Sequence, residues 1–158
     1  SKEHPVAIRV PVGATVPATR PVQTDYSELN RYEVVERGKD VAILGLGNFF
    51  ALGEQVHRLL QAQGIQATLV NPRYISGIDT ELLDNLAADH RLVVTLEDGA
   101  LEGGFGEKIA RHYGPTAVKT HCYGARKTFV DRYSPQDFLA ANRLVDTMIA
   151  EDVVRLLG

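Results

Sequence analysis

At 158 residues, 44% hydrophobic and 23% charged, the chain is long enough for one domain that buries about 70% of its unfolded surface. A net charge of −3 excludes an electrostatic draw toward nucleic acid or an anionic membrane, and no apolar run approaches the ~18 residues that span a bilayer. One cysteine, Cys122, excludes an internal disulfide or a cysteine-based metal cluster, and a cytoplasmic location is the expectation.

The first residues read as the end of something. Val6-Ala7-Ile8-Arg9-Val10 has the composition of a buried strand, yet nothing before it could supply a neighbour, and the only methionine is Met148. The chain is therefore expected to be the C-terminal piece of a longer protein. Residues 12–31, with Pro17 and Pro21 and no sustained periodicity, have linker composition. Tyr32–Glu36 alternates weakly, ends at the turn Arg37-Gly38-Lys39-Asp40, and is expected to run antiparallel at or near a sheet edge, next to the strand it leads into.

From there short apolar runs alternate with helical patterns. Val41-Ala42-Ile43-Leu44 reads as a strand covered on both faces. Asn48 is a plausible cap for a helix with Phe50, Gly53, Val56, His57 and Leu60 on one face, ending at Gly64. Ala67–Val70 is a second buried strand, followed by a short helix capped at Asp79 or Thr80. Arg91–Leu96 is a third, and after glycines comes a helix over Gly106–Tyr113. Ala117–Cys122 is the fourth, with Cys122 as a small core residue. Ser134-Pro135 supplies an N-cap and a proline at the first helical position. The last helix carries Val145, Met148, Ile149, Val153 and Leu156 on one stripe. This order implies a three-layer α/β/α domain with a mostly parallel five-stranded sheet and one antiparallel strand.

Three places could carry chemistry. Gly45-Leu46-Gly47 lies at a strand-to-helix turn, where glycines can cradle a phosphate or simply let helix and strand pack closely. The dinucleotide fingerprint fails there, because Phe50 stands where a third glycine is needed and Val70-Asn71 where an acidic residue is needed. Glu97, with Gly103, Gly104, Phe105 and Gly106, follows the third buried strand, where open parallel sheets meet ligands and other domains. Glu97 and Asp98 could serve as acid and base if burial or a neighbour separates their pKa values; otherwise the carboxylates cap helices and the glycines admit backbone, or the group forms a contact with another domain or subunit. Arg73, also past a strand, offers a fork for carboxylate or phosphate or serves in an ion pair. Arg126, Lys127 and Arg132 make a small basic, solvated face. His57, His90 (in a turn) and His112 lack metal spacing and are assigned packing or solvated roles, so no self-contained active site is visible.

Taken in order, these pieces show a resemblance. Ile8-Arg9-Val10-Pro11, a linker, and Asp40–Gly45 resemble the junction into the C-terminal domain of thiamine-diphosphate enzymes of the transketolase class. Asn71-Pro72-Arg73-Tyr74-Ile75-Ser76-Gly77-Ile78-Asp79, Val93–Gly99 and Gly103–Gly106 look like its successive strand-end motifs. Phe129-Val130-Asp131 is similar to the closing segment of 1-deoxy-D-xylulose-5-phosphate synthases. The resemblance implies that residues 1–13 end a preceding pyrimidine-binding domain, 14–31 link, and 32–158 form the transketolase-type C-terminal domain. It implies thiamine diphosphate and Mg²⁺ in the intact protein and none bound by this chain, the N-terminal domains of its own parent as partners, a homodimer, and substrate contacts from Arg9 and Arg73. Val12 stands where such synthases carry an arginine for the acceptor's phosphate, and Ser76-Gly77 where a Lys-Pro pair is usual. A transketolase, a 2-oxoacid dehydrogenase β-subunit, or a stand-alone nucleotide-binding module using the Gly45–Gly47 turn are the alternative expectations.

Overall fold

A computed structural model describes residues 24–132 and 134–158, together with Pro5, Ala7, Ile8, Val10 and Pro21. The expected boundaries at 13 and 31 fall largely on residues outside that set. The described elements are β1 (Glu33–Glu36), β2 (Asp40–Gly45), a 3₁₀ turn (Gly47–Phe49), α1 (Phe50–Ala62), β3 (Thr68–Asn71), α2 (Thr80–Asp89), β4 (His90–Ala100), α3 (Phe105–Tyr113), β5 (Lys119–Ala125), α4 (Pro135–Ala141) and α5 (Asp146–Leu157). The strands form one five-stranded sheet in the order β1-β3-β2-β4-β5. All pairs are parallel except β1 with β3, so the mixed sheet matches the expected class.

Side chains that alternate along each strand divide the core. Val41, Ile43, Leu69, Val94 and Leu96 face one way and pack with Phe50, Val56 and Leu60 of α1 and with Ile149, Ala150 and Val153 of α5. Ala42, Leu44, Val70 and Val93 face the other way, against Leu83 and Leu86 of α2 and Phe105, Ile109 and Tyr113 of α3. Fully burying a side chain of this size contributes on the order of 1.5–3 kcal/mol. Gly53 of α1 sits within 3.5 Å of Leu69, Ile43 and Leu96 methyls at its Cβ position, which seats the helix on the sheet.

Several local details differ from expectation. β1 is antiparallel and at an edge, but its neighbour is β3 rather than β2. The intervening turn is pinned to the start of β3: Gly38 N–H donates to Thr68 Oγ1 at 2.9 Å and Lys39 N–H to Gln66 O at 2.8 Å. A Cβ on Gly38 would stand 2.0 Å from Gln66 O, so this crossing requires glycine. Asn48 is not the cap of α1. It lies in the 3₁₀ turn that Gly47 opens with φ +62, and α1 begins at Phe50 without a side-chain cap. β4 runs through Glu97-Asp98-Gly99 to Ala100 instead of stopping at Leu96, and β5 starts at Lys119 and reaches Ala125. His90 is not in a turn; it is the buried first residue of β4. Asp79 does cap α2, accepting Leu82 N–H at 3.1 Å, and Ser134 caps α4, accepting Asp137 N–H at 3.1 Å.

Candidate functional site at the carboxyl end of the sheet

The chain visits β2 then β3 on one side, and β4 then β5 on the other, so the crossover directions part between β2 and β4. That place is closed by Leu46 N–H donating to Leu96 O at 2.9 Å and by Asn48 Nδ2 donating to Asp98 Oδ2 at 3.2 Å. A Cβ on Gly45 would come within 2.8 Å of Phe50 Cα. The Gly45–Gly47 turn thus serves close helix–strand packing.

One strand over, Glu97 is only 3% exposed. Its Oε2 accepts Phe105 N–H at 2.7 Å and its Oε1 accepts Gly106 N–H at 2.8 Å. A carboxylate from β4 therefore caps the positive end of α3. The glycines make room for it. A Cβ on Gly104 would lie 2.5 Å from both Glu97 Oε2 and Ala100 O, and one on Gly106 would lie 2.7 Å from Thr95 Oγ1 and 2.8 Å from Cys122. Gly103 takes φ +73 and donates its N–H to Glu107 Oε2 at 2.9 Å. Of the five residues expected at a domain or subunit contact, Glu97, Phe105 and Gly106 are buried inside this domain, while Gly103 is exposed and Gly104 half-buried. Cys122, half-buried rather than core, pairs in register with Thr95. Burial pushes its thiol up, which suits it poorly for nucleophilic work.

Arg73 lies beyond β3, with β2 between it and the Glu97 strand. It is half-buried and takes φ +60. Its Nη2 donates to Arg31 O at 2.9 Å, and its guanidinium lies 6.0 Å from the Tyr74 ring centre. Arg31 itself pairs with Glu81 at 2.6 Å, Asp79 at 3.4 Å and Glu28 at 3.4 Å. Arg9 and Val12 lie outside the described residues.

Two buried polar groups escaped the sequence reading. Asp152, 4% exposed on α5, accepts from Tyr123 Oη at 3.0 Å, Arg143 Nε at 2.8 Å, Arg143 Nη2 at 2.9 Å and Arg155 Nη2 at 2.7 Å. Burial pushes the carboxyl up, but these donors more than reverse it and hold it at about 2. The available signal was an acidic residue directly beside Val153, inside the apolar stripe of the last helix. His90 makes the second group. Its Nδ1 lies 2.9 Å from Leu86 O and its Nε2 2.7 Å from Thr68 Oγ1. A carbonyl only accepts, so Nδ1 carries the proton and Nε2 accepts from the Thr68 hydroxyl. Burial lowers the His90 pKa and keeps this tautomer neutral. His57 packs likewise, with Nε2 2.9 Å from Ala67 O.

The family described as "Transketolase, C-terminal domain" matches residues 30–144. The chain belongs to it. This transketolase C-terminal domain is 34% identical over 98% of its length to a 1-deoxy-D-xylulose-5-phosphate synthase of Crocosphaera subtropica, and 38% identical over 68% of its length to one of Acidobacterium capsulatum. It spans about a quarter of the first relative's length (25%) and 17% of the second's. Among solved structures, "Split gene transketolase, inactive beta4 tetramer" superposes with a TM-score of 0.75 at 30% identity, covering 82% of this chain and 43% of that one. A Pichia stipitis transketolase shares the fold, with a TM-score of 0.55 at 12% identity over 81% of this chain and 18% of that one.

Members of this class imply thiamine diphosphate with a divalent metal. Among the described residues no three His, Cys, Asp or Glu side chains are grouped so as to hold a metal ion, and Glu97 is spent on α3.

Proposed function

We propose that this chain is the C-terminal domain of a thiamine-diphosphate-dependent, 1-deoxy-D-xylulose-5-phosphate synthase-like transferase, and that it serves domain packing and dimerisation without activity of its own. The observation that carries the reading is the use of the carboxyl end of the sheet. The Glu97 carboxylate at β4, which in other open sheets would face a ligand, is spent capping α3. Alignment with synthases over 98% of the chain supports the choice of parent. In the intact, cytoplasmic enzyme, other domains hold the cofactor and Mg²⁺, pyruvate loses carbon dioxide there, and the two-carbon unit joins an aldehyde. Arg9 and Arg73 contact substrate, and the exposed loop around Gly103, backed by Glu97, Gly104, Phe105 and Gly106, meets another domain or the second subunit. Val12 in place of the usual phosphate-binding arginine removes one charge-assisted contact, at a cost of about 1.5–3 kcal/mol.

The test is turnover by the intact parent with pyruvate, thiamine diphosphate and Mg²⁺, comparing glyceraldehyde 3-phosphate with unphosphorylated glyceraldehyde. Strong preference for the phosphate is the expected result, with Arg9 or another domain making up for the contact that Val12 lacks. Equal use of both, or of neither, rejects the synthase assignment. The 0.75 TM-score with the split-gene protein favours a transketolase as the second reading, and transfer from a ketose phosphate instead of pyruvate would select it.

A further inference from the structure

Arg73 has an uncommon backbone and, among the described residues, no carboxylate partner. A non-glycine residue at φ +60 is strained, and such strain concentrates where function fixes the chain. Here Arg73 N–H donates to Asn71 Oδ1 at 3.3 Å, and Lys108 Nζ, from α3, donates to Ile75 O at 2.7 Å, holding the turn from both sides. What the turn displays is a guanidinium with five N–H donors. One Nη2 proton goes to Arg31 O. Nε is sealed from solvent and has no hydrogen-bond partner among the described residues.

The carboxylates nearby are engaged elsewhere. Asp79 and Glu81 pair with Arg31, Asp79 also accepts Tyr32 N–H at 2.9 Å, and Glu33 accepts Asn71 Nδ2 at 3.4 Å. Arg31, Arg91, Arg143 and Arg155 each meet a carboxylate at 3.6 Å or less. Arg73 meets none among the described residues. A half-buried fixed cation without a counter-charge is costly, and an oxyanion arriving from outside would relieve it.

We propose that Arg73 is an oxyanion seat at the carboxyl end of the sheet, taking a phosphate or carboxylate group end-on through Nη1 and the free Nη2 proton. The planar fork matches two oxygens at once. The oxyanion comes either from a small ligand or from an acidic side chain in the remainder of the parent. The seat deepens the reading of Arg73 as a substrate contact and rests on it, while the anion titration of this chain depends on its own residues and not on the parent being a synthase.

Arginine side-chain ¹H–¹⁵N spectra of the 158-residue chain, recorded while inorganic phosphate and then acetate are added at constant ionic strength, test it. A saturable shift of the Arg73 Nε–H signal is expected, with a dissociation constant on the order of millimolar. Arg73→Lys keeps the charge without the fork and should weaken binding roughly tenfold. The absence of a saturable Arg73 shift with either anion overturns the proposal, as does an equal shift in all arginines or unchanged phosphate binding by Arg73→Lys. If the variant fails to fold, the unsubstituted chain's own Arg73 signal still decides. In the intact parent, a raised KM for a phosphorylated substrate in Arg73→Lys identifies a small ligand as the source. An unchanged KM with faster proteolytic release of this domain identifies an acidic side chain.

Discussion

Replacing Asp152 by asparagine would leave the guanidinium groups of Arg143 and Arg155 facing an amide in a site only 4% exposed. Arg143 and Arg155 are themselves 45% and 72% exposed, so water takes up much of their lost pairing, and Asp152→Asn should cost about 1–3 kcal/mol in chemical denaturation. The same residue sets an acid limb. Its carboxyl lies at about 2, below the ordinary 3.8, so its contribution is fully present above about pH 4. It is lost as pH falls through about 2 and amounts to about 2 kcal/mol. The variant should show a flatter stability profile across that window. His90 acts in a higher range. Its pKa is lowered by burial from 6.5, so its contribution is complete above 6.5 and declines as pH falls below that value. Thr68→Val removes both the donor to Nε2 and the acceptor of Gly38 N–H and should lower stability by about 1–3 kcal/mol at neutral pH.

The start of α3 is the element on which the carboxyl end of the sheet depends. Glu97→Gln keeps one acceptor oxygen but turns an amide N–H₂ toward Phe105 or Gly106 N–H. The expected loss is about 1–3 kcal/mol, readable as a fall in Tm. Gly106→Ala and Gly47→Ala separate two reasons for glycine. At Gly106 the new methyl meets Thr95 Oγ1 and Cys122 at less than 3.0 Å, and α3 must lift from β4 and β5, at about 1–3 kcal/mol. At Gly47 nothing lies within 4 Å, but φ is +62, so about 1 kcal/mol of backbone strain is expected. This element also marks the limit of reading strands from hydrophobicity. Glu97-Asp98-Gly99 breaks the apolar run of β4 in sequence, yet the backbone stays extended because Glu97 is matched by two N–H groups and Ala100 pairs with Ala125.

For the molecule as a whole, the transferase proposal predicts that this chain alone gains nothing from thiamine diphosphate and Mg²⁺. A ligand at 100 times its dissociation constant stabilises its target by about 2.7 kcal/mol. A thermal scan of the 158-residue chain should therefore stay flat, and a clear upward shift would mean that the cofactor site lies at least partly here. The same scan with ATP or NAD tests the Gly45–Gly47 turn as a nucleotide site, and no shift is expected while Phe50 fills the space behind Gly45.

Local chemistry was enough to reveal the layered architecture. Apolar runs such as Val41–Leu44 and Leu92–Val94 must be covered on both faces, and capping residues such as Asp79 and Ser134 act within a few residues of themselves. The order Asn71–Asp79, Val93–Gly99 and Gly103–Gly106 likewise carried the family. Pairing and partnership were decided only by the folded chain, because they join residues far apart in sequence. β1 lies against β3 since Gly38 and Lys39 bond to Thr68 and Gln66. Asp152 is buried because Tyr123, Arg143 and Arg155 converge on it. Among the described residues Arg73 meets no carboxylate, while Asp79 and Glu81 pair with Arg31, a competition among side chains that exists only once the strands are in place.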